Sequence, residues 1–308
     1  MSNILVTGGS GFIGSHLVNR LIEDGHLVHI IDKIEGDPTL QTLRKAKYHK
    51  ANVKDLSVID LIQDIQPDFI FHLAAHFCDS SDAKDIKETA ETNIIGTIHI
   101  MEGARLAGVE KVIFTSSAAI YGPPAYLGID ENHPLSPKRP YGMTKRSAEE
   151  FIQLYARLHN INYTILRLST VYGIRQRPHT DGDLIADLIQ AYLHKAPIHF
   201  DGAGQRSLDL IYIKDVLDAL LSSMTRGDKT IFNIGSGHGT TANEVINLLN
   251  ATFEVHVEPE FTDICPSHPQ EMYFDISLSL TSLDWSPKYD IADGLLETVH
   301  YYRRMMRM

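Results

Sequence analysis

The chain has 308 residues, 43% apolar and 22% charged, the balance of a folded globular protein and not of a disordered one. Its formal net charge of −11 and lack of any long basic run argue against a nucleic-acid or anionic-membrane surface. Two cysteines, Cys78 and Cys265, supply no disulfide framework and suit a reducing cytoplasm. The first strand is expected to begin near residue 3, so no signal peptide is expected, and no apolar run approaches membrane-spanning length.

The pattern predicts a strand over 3–7, then the turn Thr7-Gly8-Gly9-Ser10-Gly11-Phe12-Ile13-Gly14, then a helix over about 12–24. Gly8 permits a tight turn, Gly11 lets backbone amides approach a pyrophosphate, and Gly14 lets the helix pack closely on the sheet. The helix N-terminus adds unpaired donors and a positive dipole end. The next strand, 26–32, ends in Asp32, 18 residues beyond Gly14, near the offset at which a carboxylate accepts ribose hydroxyls. A carboxylate there repels a 2′-phosphate and favours NAD, although the adjacent Lys33 is a cation such a phosphate could use.

Further strands are expected at 47–50, 68–73, 111–116 and 162–168, alternating with helices at 55–65, 85–107 and 141–159. That alternation predicts an α/β, Rossmann-like doubly wound parallel sheet. The apolar stripes Ile94, Ile95, Ile98, Met101, Ala104 and Ala148, Phe151, Ile152, Tyr155, Leu158 are broad enough to pack outside the sheet as well, against a second subunit. Beyond residue 169 prolines and Gly-rich turns break the rhythm, while 210–216 and 230–234 still read as sheet. The expected organisation is a dinucleotide-binding domain over 1–168, with returns at about 206–236, and a smaller mixed α/β substrate lobe over 169–205 and 237–308. The 16 histidines form no H-x-x-x-H pair; His76 and Cys78, two apart, are a poor ligand pair, and no metal is expected.

Tyr141-Gly142-Met143-Thr144-Lys145 puts a phenol and an amine on one helical face. An ammonium beside a phenol favours the phenolate, so Tyr141 can take a proton from an alcohol. Upstream, Phe114-Thr115-Ser116-Ser117-Ala118-Ala119-Ile120-Tyr121-Gly122 ends a strand at the carboxyl edge of the sheet, where Ser117 can donate to the same oxygen.

Together with Asn52-Val53-Lys54-Asp55, His72-Leu73-Ala74-Ala75, Asn93 within N-I-I-G-T, Leu166-Arg167-Leu168, Val171-Tyr172-Gly173 and 211–216, these motifs resemble the extended short-chain dehydrogenase/reductases, specifically the NAD-dependent epimerase/dehydratase family. The resemblance covers nearly the whole chain. It implies an NAD-dependent nucleotide-sugar enzyme with Ser117, Tyr141 and Lys145 as catalytic trio. It also implies cofactor contacts from Gly8, Gly11, Phe12, Ile13, Gly14, Asp32, Lys33, Asn52, Val53, Leu73, Ala74, Ala75, Asn93, Thr115, Tyr141 and Lys145, with Asp55 beside the adenine and as cap of the helix it opens. Family members commonly pair as homodimers through the helices after the fourth and fifth strands.

Sugar 4,6-dehydratases of this family carry an Asp-Glu pair where this chain has Ala118 and Ala119, and decarboxylating relatives usually carry Glu at the second position. The segment therefore resembles the 4-epimerases most. A ketosugar reductase or alcohol dehydrogenase using the same trio is the alternative, followed by a dehydratase or decarboxylase. A non-catalytic dinucleotide sensor fits less well, because the trio is intact. The diphosphate anchor departs from the family: Thr170 stands for the usual Asn, Leu208 for an Arg, and Cys265-Pro266-Ser267-His268 for R-P-G-D. Arg175, Arg177, Arg206 and His268 are the neighbours from which a substrate site with Thr170 and Ser117 could be rebuilt.

Overall fold

The computed structural model describes residues 1–34, 45–78, 80–177, 184–201, 204–262 and 271–306. The first part runs β1 (Asn3–Thr7), α1 (Phe12–Glu23), β2 (Leu27–Asp32), β3 (Lys47–Lys50), α2 (Ser57–Ile65), β4 (Phe69–His72), α3 (Ala83–Ala90), a π turn (Glu91–Ile95), α4 (Gly96–Ala107), β5 (Lys111–Ser117), α5 (Pro140–His159) and β6 (Tyr163–Leu168). The second part adds β7 (Thr170–Tyr172), α6 (Leu184–His194), β8 (His199–Asp201), β9 (Ser207–Leu208), β10 (Leu210–Tyr212), α7 (Ile213–Ser222) and β11 (Thr230–Ile234). It ends with β12 (Thr240–Thr241), α8 (Ala242–Phe253), β13 (Glu260–Thr262), β14 (Glu271–Met272), α9 (Ser277–Ser282) and α10 (Ile291–Met305).

The main sheet has the order β11-β6-β5-β4-β1-β2-β3, and β1 pairs in parallel with both β2 and β4. The chain reverses direction across the sheet between β1 and β4, the crevice at which open α/β sheets bind ligands. Strand alternation explains why the sheet is covered on both faces. Leu5, Ile31, Ile70, Val112, Phe114 and Ile165 share one core cluster with Val58 and Ile62 of α2, Ile100 and Met101 of α4, and Ala148 and Ile152 of α5. Their neighbours Val6, Ile30, Phe71 and Ile113 are equally buried, and Val18 of α1 lies beside Ile30 over Gly9.

Two compact units emerge. One comprises residues 1–120, 137–167 and 219–232; the other comprises 121–136, 168–218 and 233–308. The excursion 121–136 joins the second unit because Ile129 bridges to Phe274, Glu131 accepts from the Asn233 amide, and Tyr121 Oη donates to Asn233 Oδ1. Within that unit Thr241 and Glu244 form a reciprocal capping box that starts α8.

Three local expectations are corrected. The run 210–216 is a strand only through Tyr212, where it pairs with β7 and not with the main sheet; from Ile213 it is helical. Lys214 and Asp215 break the apolar run, and Ile213, Val216, Leu217 and Leu220 recur at helical spacing and are buried. The single helix expected over 85–107 is two helices joined by the π turn. Leu56, and not Asp55, occupies the N-cap of α2, and Asp55 is exposed.

Candidate active site

The glycine turn is built by close approach. Gly8 has φ +72°, and a Cβ there would come within 2.8 Å of the Ala74 nitrogen; a Cβ on Gly14 would collide with the Gly8 carbonyl. The turn therefore lies flat against the loop after β4, with α1 opening directly behind it. Ser10 Oγ is buried and has no hydrogen-bond partner among the described residues. Asp32 at the end of β2 accepts from the Ser10 amide at 3.0 Å and the Ile34 amide at 3.2 Å, which fixes its carboxylate at the strand edge.

These groups wall one depression, lined by Gly8, Gly11, Ile31, Asp32, Lys33, Ile34, Ala51, Asn52, Val53, Leu73, Ala74, Ala75 and Thr92. The residues fit NAD: a phosphate turn, a ribose acid and an apolar slot. Phe12, Ile13 and Gly14 stand behind the wall as the first turn of α1. Asp55 lies outside the wall. Ile31, Ile34, Ala51 and Thr92 line it without having been singled out in the sequence. Ile31, Ala51 and Thr92 adjoin Asp32, Asn52 and Asn93, so the register of the strand ends was the available signal.

A buried polar chain runs beneath the depression. Thr7 Oγ1 accepts from the Ala74 amide at 3.2 Å and donates to His72 Nδ1 at 2.7 Å. His72 Nε2 then donates to Thr97 Oγ1 at 3.0 Å, which in turn donates to the Asn93 carbonyl at 2.6 Å. That set of donors assigns His72 as the neutral Nε2–H tautomer. Desolvation, with the nearby Lys145 charge adding to it, pushes its pKa down to about 3.

Asn93 is 2% exposed and aims its amide inward from the π turn. It donates to the His76 carbonyl and to Thr144 Oγ1, both at 2.9 Å, and accepts from the His76 amide at 2.8 Å. The expected cofactor residue thus ties the loop after β4 to α5, while its neighbour Thr92 faces the depression. Wide π turns of this kind recur at functional sites.

Ser117 ends β5, and Tyr141 and Lys145 lie on the first turns of α5, which Pro140 opens at a position that needs no amide donor. Gly142 joins the two segments: a Cβ there would collide with the Ala119 carbonyl, so only glycine allows α5 to seat against the turn after Ser117. Lys145 Nζ donates to the Thr115 carbonyl at 2.7 Å and lies 5.8 Å from the Tyr141 ring centroid. The Phe77 ring packs against Tyr141 at 4.6 Å, another contact with no signal in the sequence. Burial pushes the Lys145 pKa down to about 7, partly opposed by Glu149 one turn on. Glu149 accepts from Nε and Nη2 of Arg167, at 3.1 and 2.8 Å, in a buried pair that fastens α5 to β6.

In the second unit, Arg206 and Leu208 line a pocket with Leu184, Leu210, Thr240, Ala242 and Val245. Thr170 begins β7, Arg175 is half-buried, and Arg177 is exposed. His268 and Cys265 lie outside the described residues.

Comparison with known proteins agrees with this geometry. The profile of the NAD dependent epimerase/dehydratase family matches residues 4–235, and the chain belongs to that family. It is 35% identical over 99% of both chains to a putative UDP-glucose 4-epimerase of Methanocaldococcus jannaschii. It is 29% identical, over 98% of its length and 88% of the other's, to the mouse dTDP-D-glucose 4,6-dehydratase. Among solved structures, the UDP-glucose 4-epimerase of Thermotoga maritima with UDP-glucose superposes at a TM-score of 0.94, with 34% identity and 99% of each chain covered.

Proposed function

We propose that this protein is a UDP-sugar 4-epimerase that interconverts UDP-glucose and UDP-galactose with NAD. The observation that carries this reading is the intact Ser117, Tyr141 and Lys145 set followed by Ala118 and Ala119, where a dehydratase needs an acid and a base. The epimerase relatives named above support the choice of UDP-glucose. Bound NAD supplies a hydride acceptor and then a hydride donor. Tyr141 takes the C4-hydroxyl proton as phenolate, Lys145 stabilises that phenolate, and Ser117 donates to the oxygen as it becomes a carbonyl. The 4-keto sugar turns in the site, its opposite face is reduced, and Tyr141 returns the proton.

The nucleotide is held in this reading by Arg206, with Arg175, Arg177, Thr170 and His268 as the other candidate contacts. Leu208 has no charge to offer a diphosphate, and Arg206 shares its pocket. Arg206→Ala is expected to raise KM for UDP-glucose roughly tenfold or more while leaving kcat within a few-fold. Unchanged KM would remove Arg206 from the anchor. Incubation with UDP-, dTDP-, GDP- and CDP-hexoses, followed by NMR, tests the reading; conversion at C4 confined to the UDP-sugars is expected. A 4-keto-6-deoxy product or net NADH formation would contradict it.

A cytoplasmic homodimer completes the proposal. No described helix is long and apolar enough to cross a membrane. Ile95 and Leu106 around α4 and Met143 and Leu158 on α5 are 42–66% exposed, an apolar surface suited to a second copy.

A further inference from the structure

Lys54 follows directly on Val53, one wall of the cofactor depression, and Glu91 directly precedes Thr92, another. Lys54 Nζ donates to Glu88 Oε2 at 2.8 Å and lies 3.5 Å from Glu91 Oε2. The ion group therefore joins the loop between β3 and α2 to α3 and the π turn. The same loop also packs on the start of α4, since a Cβ on Gly96 would come within 2.7 Å of Val53 Cγ2. Glu88 also lies in the field of His76, from the loop after β4, and Lys33, from the end of β2. Glu88 is thus the ion-pair partner of the lysine that follows the Val53 wall, on the helix that leads into the Thr92 wall.

We propose that Glu88 and Lys54 form a clasp that holds the wall of the cofactor groove closed and slows release of the bound dinucleotide. The inference rests on the NAD dependence of the family and concerns retention of the cofactor, not the sugar or the reaction. The side chains are partly exposed, at 27% for Lys54 and 38% for Glu88, so the pair is salt-sensitive and its effect belongs on a dissociation rate. Methionine keeps the unbranched carbon stem of Lys54 and removes its charge.

The test loads the full-length protein with radiolabelled NAD, chases with excess unlabelled NAD, and follows retained label by filtration. Glu88→Gln and Lys54→Met are each expected to speed release about three- to fivefold, and the double variant no further than the faster single one. Raising NaCl from about 0.05 to 1 M should speed release from the wild type but not from the double variant. Release within about twofold of wild type in both single variants, or effects that multiply in the double, would overturn the clasp alone. A wild-type protein that retains no label would overturn both the clasp and the reliance on NAD.

Discussion

Lys145 sits where its own charge is unwelcome, buried against Phe114 with a single backbone carbonyl as acceptor. In the unfolded chain its amine titrates near 10.5, and in the fold near 7. Below pH 7 both states are protonated and the fold carries the whole desolvation cost; between about 7 and 10.5 the unfolded chain alone holds the proton, and the cost fades as pH rises. Lys145→Met is therefore expected to raise the stability of NAD-free protein at pH 6.5 and to give little or none of that gain near pH 10.5, read by urea denaturation. A variant less stable at pH 6.5 would show that the Thr115 hydrogen bond outweighs the burial. In the proposed mechanism, the stability given up at this residue serves a lysine poised beside the phenol of Tyr141.

Among the elements, the junction of β5 with α5 would set the geometry of the proposed reaction, and Gly142 is its contact point. Gly142→Ala would drive a methyl group into the Ala119 carbonyl and shift Tyr141 relative to Ser117. We expect kcat to fall at least about tenfold with NAD content unchanged, because a small displacement of positioned groups costs rate before it costs binding. An unchanged kcat would mean that the junction relaxes.

These elements also mark how far the sequence could be read. The glycine turn, Asp32 and the Tyr141–Lys145 spacing are local patterns whose chemistry depends on neighbours in the chain, and they were legible. The π turn was not, because Glu91–Ile95 differs from an α-helix only in where Asn93 must point, and its partners His76 and Thr144 are 17 and 51 residues away. The place of 121–136 was hidden for the same reason, since Ile129 and Glu131 find Phe274 and Asn233 only in the fold. The strand expected over 210–216 failed where apolar residues at helical spacing were mistaken for a continuous buried run.

For the whole molecule, the buried histidines make acid a selective stress. His72 is pushed down to about 3, and His29, buried and bonded to His49 at 2.9 Å, to about 4; desolvation is the larger cause in both. Because the unfolded chain takes up these protons near 6.5, stability falls as pH drops from about 6.5 toward 3. The expected loss by pH 5 is on the order of 2 kcal/mol for each of the two, read as the difference in unfolding free energy from pH 7.5. Equal stability at the two pH values would mean that neither is held neutral.

In the proposed reaction, hydride leaves C4 of a UDP-sugar and returns to the same carbon without leaving the protein. UDP-glucose carrying deuterium at C4, converted in ordinary water and followed by NMR, tests it most directly. The expected product is UDP-galactose with the deuterium still at C4 and no free NADH, and the expected rate in Tyr141→Phe is lower by about a hundredfold or more. Loss of the label to solvent, its appearance in released NADH, or unchanged turnover in Tyr141→Phe would contradict it.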